Sequence, residues 1–268
     1  IQSPKSIMRF ERKKDKLNDI CITVSHNEEL RRTKKVALFG TNEVSNYTML
    51  PEHSRWFIKY FSNEGDLICD NTCGRGTNII AGSYENRKFF GFDLNKNNLD
   101  SISEALTDHI GLSSSQFALH HSCGVEMVEY EKHDAMFDLF INDIPYILNA
   151  EKYNDDPRDL GNIKNLDEFY AKVEVMMLNM KRLIKKSDYD KGIFKPIIMK
   201  VGSQRRGPKG LIDMATDIEM IGRKIGLIMH DKILNELRPS MQSYIINTTF
   251  QKRFTMKIQE SNLIFVNY

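Results

Sequence analysis

Two short stretches of this chain carry residue types that can do chemistry together. The first is Asp70-Asn71-Thr72-Cys73-Gly74-Arg75-Gly76-Thr77. Its glycines permit a tight turn and let a ligand approach the main chain closely. An acid follows at Asp93, 19 residues after Gly74. That is near the spacing of roughly 20 at which a carboxylate accepts hydrogen bonds from the hydroxyls of a bound ribose. A third glycine at the dinucleotide spacing is missing, and so is the Gly-Lys-Ser/Thr of a phosphate loop. Asp70 itself ends an apolar run, where a carboxylate is costly unless paired. Its useful partners are backbone amides of the turn or an ammonium group of a ligand.

The second stretch is Asn142-Asp143-Ile144-Pro145-Tyr146, which ends the apolar run FDLFIND. The Asp143 side chain and a backbone carbonyl beside it can both accept hydrogen bonds from an NH₂ group. Pro145 fixes the local backbone. Tyr146 offers a flat face on which an extruded base can stack.

The elements around these stretches must bring them together. DLICD, the turn NTCGRGT and NIIAGSYEN read as strand, turn, helix. KFFGFDLN is a second strand, and FALHHS a third. Residues 97–110 form a helix with Leu99, Ile102, Leu106 and Ile110 on one face, and FDLFINDIPY is a fourth strand, apolar up to its end. Residues 51–62 form a helix opened by Pro51, which suits a first helical turn. Residues 167–186 form an amphipathic helix whose methionines, 176–180, belong to the core. Residues 193–201 form a strand whose Pro196 pushes its start toward an edge. Residues 211–225 form a helix. YIINTTF (244–250) and NLIFVNY (262–268) close the chain as a final antiparallel pair. Strand alternating with helix predicts right-handed crossovers and a mostly parallel sheet. Ligands of such sheets bind beyond the carboxyl ends of the strands, so both stretches face one crevice.

Composition fits this reading. The chain has 268 residues, 41% hydrophobic and 28% charged, with a formal net charge of +2. That is ordinary globular composition, not a disordered tail and not a coat of positive charge. No apolar run approaches the ~20 residues of a membrane span. IQSPKSIMRFERKK has no apolar leader segment, so a cytoplasmic setting is expected. Cys21, Cys69, Cys73 and Cys123 are too few and too irregular for a disulfide framework or a zinc site, and read as reduced structural thiols. His120, His121 and His230 read as packing residues. Basic clusters at Lys200–Lys209, with Arg205 and Arg206, at Arg31–Lys35 and at Arg12–Lys14 are candidates for phosphate contacts that bind nucleic acid without reading its sequence.

From about residue 50 to residue 268 the chain resembles the S-adenosylmethionine-dependent DNA amino-methyltransferases, which act on adenine N6 or cytosine N4. DLICDNTCGRGT matches their Asp-Pro-Phe-x-Gly-Ser-Gly-Thr segment, and FFGFD their hydrophobic-Gly-hydrophobic-acid segment. INDIPY matches their (Asp/Asn/Ser)-Pro-Pro-(Tyr/Phe) signature. The resemblance implies a Rossmann-like methyltransferase fold: a mostly parallel α/β sheet with an antiparallel C-terminal strand pair and helices on both faces. It divides the chain into an arm or small cap, 1–50, and a catalytic domain, 51–268. It implies S-adenosylmethionine as cofactor, held by Asp70, Thr72, Cys73, Gly74, Gly76, Thr77, Asp93, Leu94 and Ser122. PEHSRWFIKYFSNEGD would help cover the methionine end. Asn142, Asp143, Ile144, Pro145 and Tyr146 become the catalytic segment, with adenine N6 of DNA the preferred target. Ile144 stands where the family has its first Pro, Asn71-Thr72 where it has Pro-Phe, Arg75 where it has the middle Ser, and Ser122 where it often has an acid. An RNA or tRNA base methyltransferase and a non-catalytic binding subunit are the competing readings. No metal or membrane partner is implied, and monomer and homodimer stay open.

Overall fold

A computed structural model of the chain describes residues 7–10, 15–17, 20–21, 50–145, 154–205, 210–236 and 259–268. The central sheet has eight strands: β1 (Ile7–Met8), β2 (Leu67–Asp70), β3 (Lys88–Asp93), β4 (Phe117–His121), β5 (Leu139–Asp143), β6 (Pro196–Val201), β9 (Ile228–Glu236) and β10 (Gln259–Val266). β7 (Gln204–Arg205) and β8 (Leu211–Ile212) form a separate two-stranded ribbon. The helices are α1 (Pro51–Phe61), α2 (Thr77–Tyr84), α3 (Lys96–Glu104), α4 (Leu166–Leu183) and α5 (Met214–Lys224). α3 runs on through a π-helical turn, Ala105–Ile110.

The spatial order is β1-β9-β10-β6-β5-β2-β3-β4. β2 pairs in parallel with both β3 and β5, so the chain steps outward in one direction through β3 and β4 and in the other through β5 and β6. The crevice between β2 and β5 is therefore a topological switch point, the place where open α/β sheets hold ligands. β10 is antiparallel to both β6 and β9.

Alternation along the strands fills two cores. Phe140, Ile197, Met199, Leu263 and Phe265 meet α4 and α5 on one face. Ile141, Ile198 and Ile264 meet α1, α2 and α3 on the other, with Phe57, Ile79 and Ile102 fully buried among them. Each such side chain contributes about 1.5–3 kcal/mol relative to exposure. Met176, Met177 and Met180 are wholly buried, as their helical spacing predicts.

Several elements differ from their sequence-based boundaries for identifiable reasons. α4 stops at Leu183 because Ile184 turns to extended backbone and bridges Phe137. α5 starts at Met214, not 211, because Leu211–Ile212 pair with β7 and Asp213 accepts the hydroxyls of Ser203 and Thr216. Pro196 opens β6, but this strand is central, not an edge. The partners of the last strand are β6 and β9. β9 has no counterpart among the predicted strands, and YIINTTF lies outside the described residues. Its burial shows why IMHDKILNE is faint as a strand: Ile228, His230, Asp231 and Glu236 are not covered. Of the expected N-terminal arm, Ile7–Met8 adds a parallel strand beside β9, and Phe10, Leu17, Ile20 and Cys21 are buried in the α1 core. All four cysteines are buried. No helix among the described residues is long and apolar enough to cross a membrane.

Candidate functional site

The carboxyl ends of β2, β3, β5 and β6 put Asp70, Asp93, Asp143 and Lys200 along one edge of the sheet. After Asp70 the chain turns through Gly74 (φ +51°) and Gly76 (φ +75°), left-handed conformations that favour glycine. A Cβ on Gly76 would meet Ile102 at 2.4 Å, whereas one on Gly74 would point into open space. The turn is thus packed against α3 on one side and open on the other. Its strands hold it in place: the Cys73 amide donates to the Phe92 carbonyl (3.0 Å), and the Gly74 amide donates to Asp93 Oδ2 (2.8 Å). Asp93 Oδ1 accepts from the Asn95 amide at 2.7 Å and from Asn98 Nδ2 at 3.3 Å.

Asp70 is 1% exposed. Of the two kinds of partner foreseen for it, the structure supplies the turn amide. Thr72 N donates to Oδ1 at 3.1 Å, and Asn78 Nδ2 donates to Oδ2 at 2.8 Å. Burial nevertheless pushes its pKa up to about 7, against the pull of these donors, and the charges of Asp143 and Asp93 push the same way. Burial likewise pushes Asp93 up to about 6, with Asp159 adding to the rise. Buried carboxylates sharing one crevice suit a cationic ligand.

The position that a Pro would occupy is used differently here. Asn71 is buried, its Nδ2 donates to the Gly124 carbonyl (2.9 Å) and its Oδ1 accepts from Asn142 Nδ2 (2.8 Å). Gly124 is required at that contact, since a Cβ would lie 1.6 Å from the Asn71 carbonyl oxygen. Asn71 therefore ties the turn to β5 and to the segment after β4.

β5 delivers the second stretch. Thr72 Oγ1 donates to the Asp143 carbonyl at 3.1 Å, joining the two motifs directly across the switch point. The Ile144 amide donates to the Lys200 carbonyl at 3.0 Å. A proline has no amide to make this bond. Here the bond fixes the backbone that a ring would otherwise restrict. Lys200 Nζ lies 2.9 Å from Asp143 Oδ2 and 3.1 Å from Glu260 Oε2.

Asp70, Thr72, Cys73, Gly74, Gly76, Thr77, Asp93, Asn142, Asp143 and Ile144 therefore lie at or just beyond the carboxyl ends of neighbouring strands, with Leu94 and Ser122 directly after β3 and β4. Lys200 does not join an exposed basic cluster. It is 8% exposed and engaged with two acids, so its place is in the site and not on a phosphate-binding surface. Arg205 has its backbone in β7, while Tyr146, Arg206 and Lys209 lie outside the described residues, as do Arg12–Lys14 and Arg31–Lys35. His120 stacks on Phe92 (4.9 Å between centroids) and bonds the Tyr130 hydroxyl (2.7 Å), a packing role. Sequence reasoning missed Asn78, Gly124 and Glu260. A polar residue one turn into an apolar helix was the signal for Asn78. Glu260 carried only the weaker sign of an acid beside an otherwise apolar strand.

Three buried polar atoms at this end of the sheet, Asn78 Oδ1, Ser122 Oγ and Asn142 Oδ1, have no hydrogen-bond partner among the described residues. A ligand or water can supply such a partner. Together with the open space above Gly74 and the carboxylate at the end of β3, they fit a ribose-containing, cationic cofactor.

No family model and no curated protein matches the chain. Its fold has solved relatives. TrmN from Thermus thermophilus superposes with a TM-score of 0.53 at 8% identity, over 82% of this chain and 49% of that one. A geranyl diphosphate methyltransferase in complex with SAM superposes with a TM-score of 0.54 at 8% identity, over 82% of this chain and 86% of that one. The chain thus spans about half the length of the first of these. Likeness at such identity carries architecture alone, and with the strand order and switch point above it establishes that the chain has the Rossmann-like methyltransferase fold.

Proposed function

We propose that this chain binds S-adenosylmethionine at the switch point and transfers its methyl group to an exocyclic amino group of a nucleic-acid base, adenine N6 of DNA before cytosine N4. The observation that carries the reading is the acceptor pair at the end of β5, Asp143 and Ile144, tied through Thr72 to the glycine turn. The choice of DNA and of adenine rests on the resemblance of the Asp143–Tyr146 segment to the signature of the DNA amino-methyltransferases.

In this reading Asp93 would accept hydrogen bonds from the ribose, Ser122 would meet the cofactor's base, and the open side of the turn at Gly74 would leave it room. The bound cofactor supplies an electrophilic methyl group on a positively charged sulfur, a leaving group that needs no acid. The difficulty lies with the amine, whose lone pair is delocalised into the base. The Asp143 carboxylate and the Ile144 carbonyl accept its two N–H hydrogens, localise the lone pair and aim it along the transfer line. As the new N–C bond forms, positive charge develops on the nitrogen. Asp143 stabilises it and accepts the proton that then leaves toward water. Pro145 keeps the acceptors aimed outward, and Tyr146 stacks on the extruded base, whose removal from a duplex costs a few kcal/mol.

The test is transfer of labelled methyl from S-adenosylmethionine to unmethylated DNA, with total RNA in parallel, followed by nucleoside analysis. Label in N6-methyladenine of DNA is expected. Label confined to RNA replaces the substrate while keeping the chemistry, and label in neither overturns the reading.

A further inference from the structure

Lys200 is a charged residue at the end of a strand, Pro196–Val201, in which every residue is buried. An ammonium in such a place costs several kcal/mol unless it is well paired. A methionine, like its neighbour Met199, would fill the same space without that cost. The lysine instead stands opposite Asp143 in the parallel register with β5 and opposite Asn262 in the antiparallel register with β10. From there its Nζ reaches Asp143 Oδ2 at 2.9 Å on one side and Glu260 Oε2 at 3.1 Å on the other. Its main-chain carbonyl takes the Ile144 amide at 3.0 Å. One residue thus holds the Asp143 carboxylate by its side chain and, by its backbone, the Asp143–Ile144 peptide that leads to the Ile144 carbonyl.

Burial alone would lower the Lys200 pKa, but the charges of Asp143 and Glu260 outweigh it and raise the pKa. The group keeps its proton and acts by charge and position. A carboxylate has about four lone-pair directions, so bonding to an ammonium does not prevent it from accepting a substrate N–H. His53, also buried and sensing the Lys200 and Glu260 charges, is held neutral by burial, with its pKa down at about 3, and adds no competing cation.

We propose that Lys200 is a positioning residue for methyl transfer: its ammonium orients the Asp143 carboxylate, its carbonyl anchors the Asp143–Ile144 peptide, and Glu260 holds the ammonium in place. The inference rests on the transfer reading given above. A misplaced acceptor costs rate while leaving the cofactor pocket intact. In Lys200→Met, kcat falls about 100-fold, while the KM for nucleic acid and the affinity for S-adenosylhomocysteine stay within about threefold. Lys200→Arg recovers all but about tenfold of the rate, since it keeps charge and reach with altered geometry.

Lys200→Met also removes the ion pair of the buried Glu260 carboxylate, so its melting temperature falls as well. The double variant Lys200→Met/Glu260→Gln removes that buried negative charge and separates the two effects. Positioning predicts that its melting temperature returns toward wild type while kcat stays low. The proposal is overturned if Lys200→Met turns over within threefold of wild type, if the double variant recovers kcat together with stability, or if Lys200→Met loses cofactor binding. Wild-type protein that methylates neither DNA nor RNA overturns the transfer reading and this proposal with it. An active wild type with an active Lys200→Met overturns this proposal alone.

Discussion

The two sides of the switch point are built in different ways. On the cofactor side the hydrogen bonds to the two acids are short in sequence. Thr72 bonds Asp70 two residues away, Asn95 bonds Asp93 two residues away, and Gly74 reaches Asp93 across 19. On the acceptor side, Asp143 is held by Lys200 at a separation of 57 residues and Lys200 by Glu260 on the last strand. The electrostatics differ too. Asp70 and Asp93 are buried against amide donors and pushed up, whereas Asp143 faces a buried ammonium. The first side sets its acids by local amides, while Asn71 and Thr72 tie the turn to distant segments. The second is a tertiary device that exists only once the sheet has assembled.

That contrast is sharpest in the variants it predicts. Asp143→Ala removes an acceptor from the reacting amine and should lower the transfer rate by about 1000-fold, with cofactor affinity within about threefold of wild type. Equal losses in rate and affinity would erase the division between the sides. Asp93→Ala should do the reverse. It removes the carboxylate assigned to the ribose and the acceptor of the Gly74 amide, so calorimetry should show cofactor binding weaker by about 1.5–3 kcal/mol. Unchanged affinity would break the ribose assignment.

Smaller effects probe the scaffold of the cofactor side. Gly124→Ala forces a Cβ against the Asn71 carbonyl and should destabilise the protein by about 1–3 kcal/mol in urea unfolding. Wild-type stability there would mean that the segment after β4 yields easily. The last effect concerns pH. Asp70 rises from 3.8 toward about 7 on folding, so the folded state holds its proton more tightly than the unfolded chain does. Its contribution is fully present below about pH 4 and is lost as pH rises through about 7. Between pH 5 and pH 8 the ligand-free wild type should therefore lose stability relative to Asp70→Asn. A difference that stays constant over this range would show that burial does not hold the proton on Asp70.

The same contrast explains what could be read from the sequence. The glycine turn, the acid after β3 and the Asp143 strand end were legible because each is a local departure from an apolar run, and the strand–helix alternation gave the parallel sheet. The triad of Asp143, Lys200 and Glu260 was not legible, since no local pattern joins three residues on three strands. Lys200 was grouped with Arg205 and Arg206 because they are near in sequence, yet the strand end turns its ammonium inward. β9 stayed hidden because its exposed positions dilute the alternation. Asn71 looked like a lost proline. Only the fold shows that its amide joins Gly124 and Asn142.

The central claim is that one crevice holds the cofactor and presents its methyl group to Asp143 and Ile144. A crystal structure with S-adenosylhomocysteine bound tests it most directly. The account predicts the ribose hydroxyls on Asp93, the base beside Ser122, and the sulfur facing the Asp143–Ile144 pair across Thr72. A ligand bound away from the glycine turn, or one whose sulfur points away from the end of β5, would contradict it.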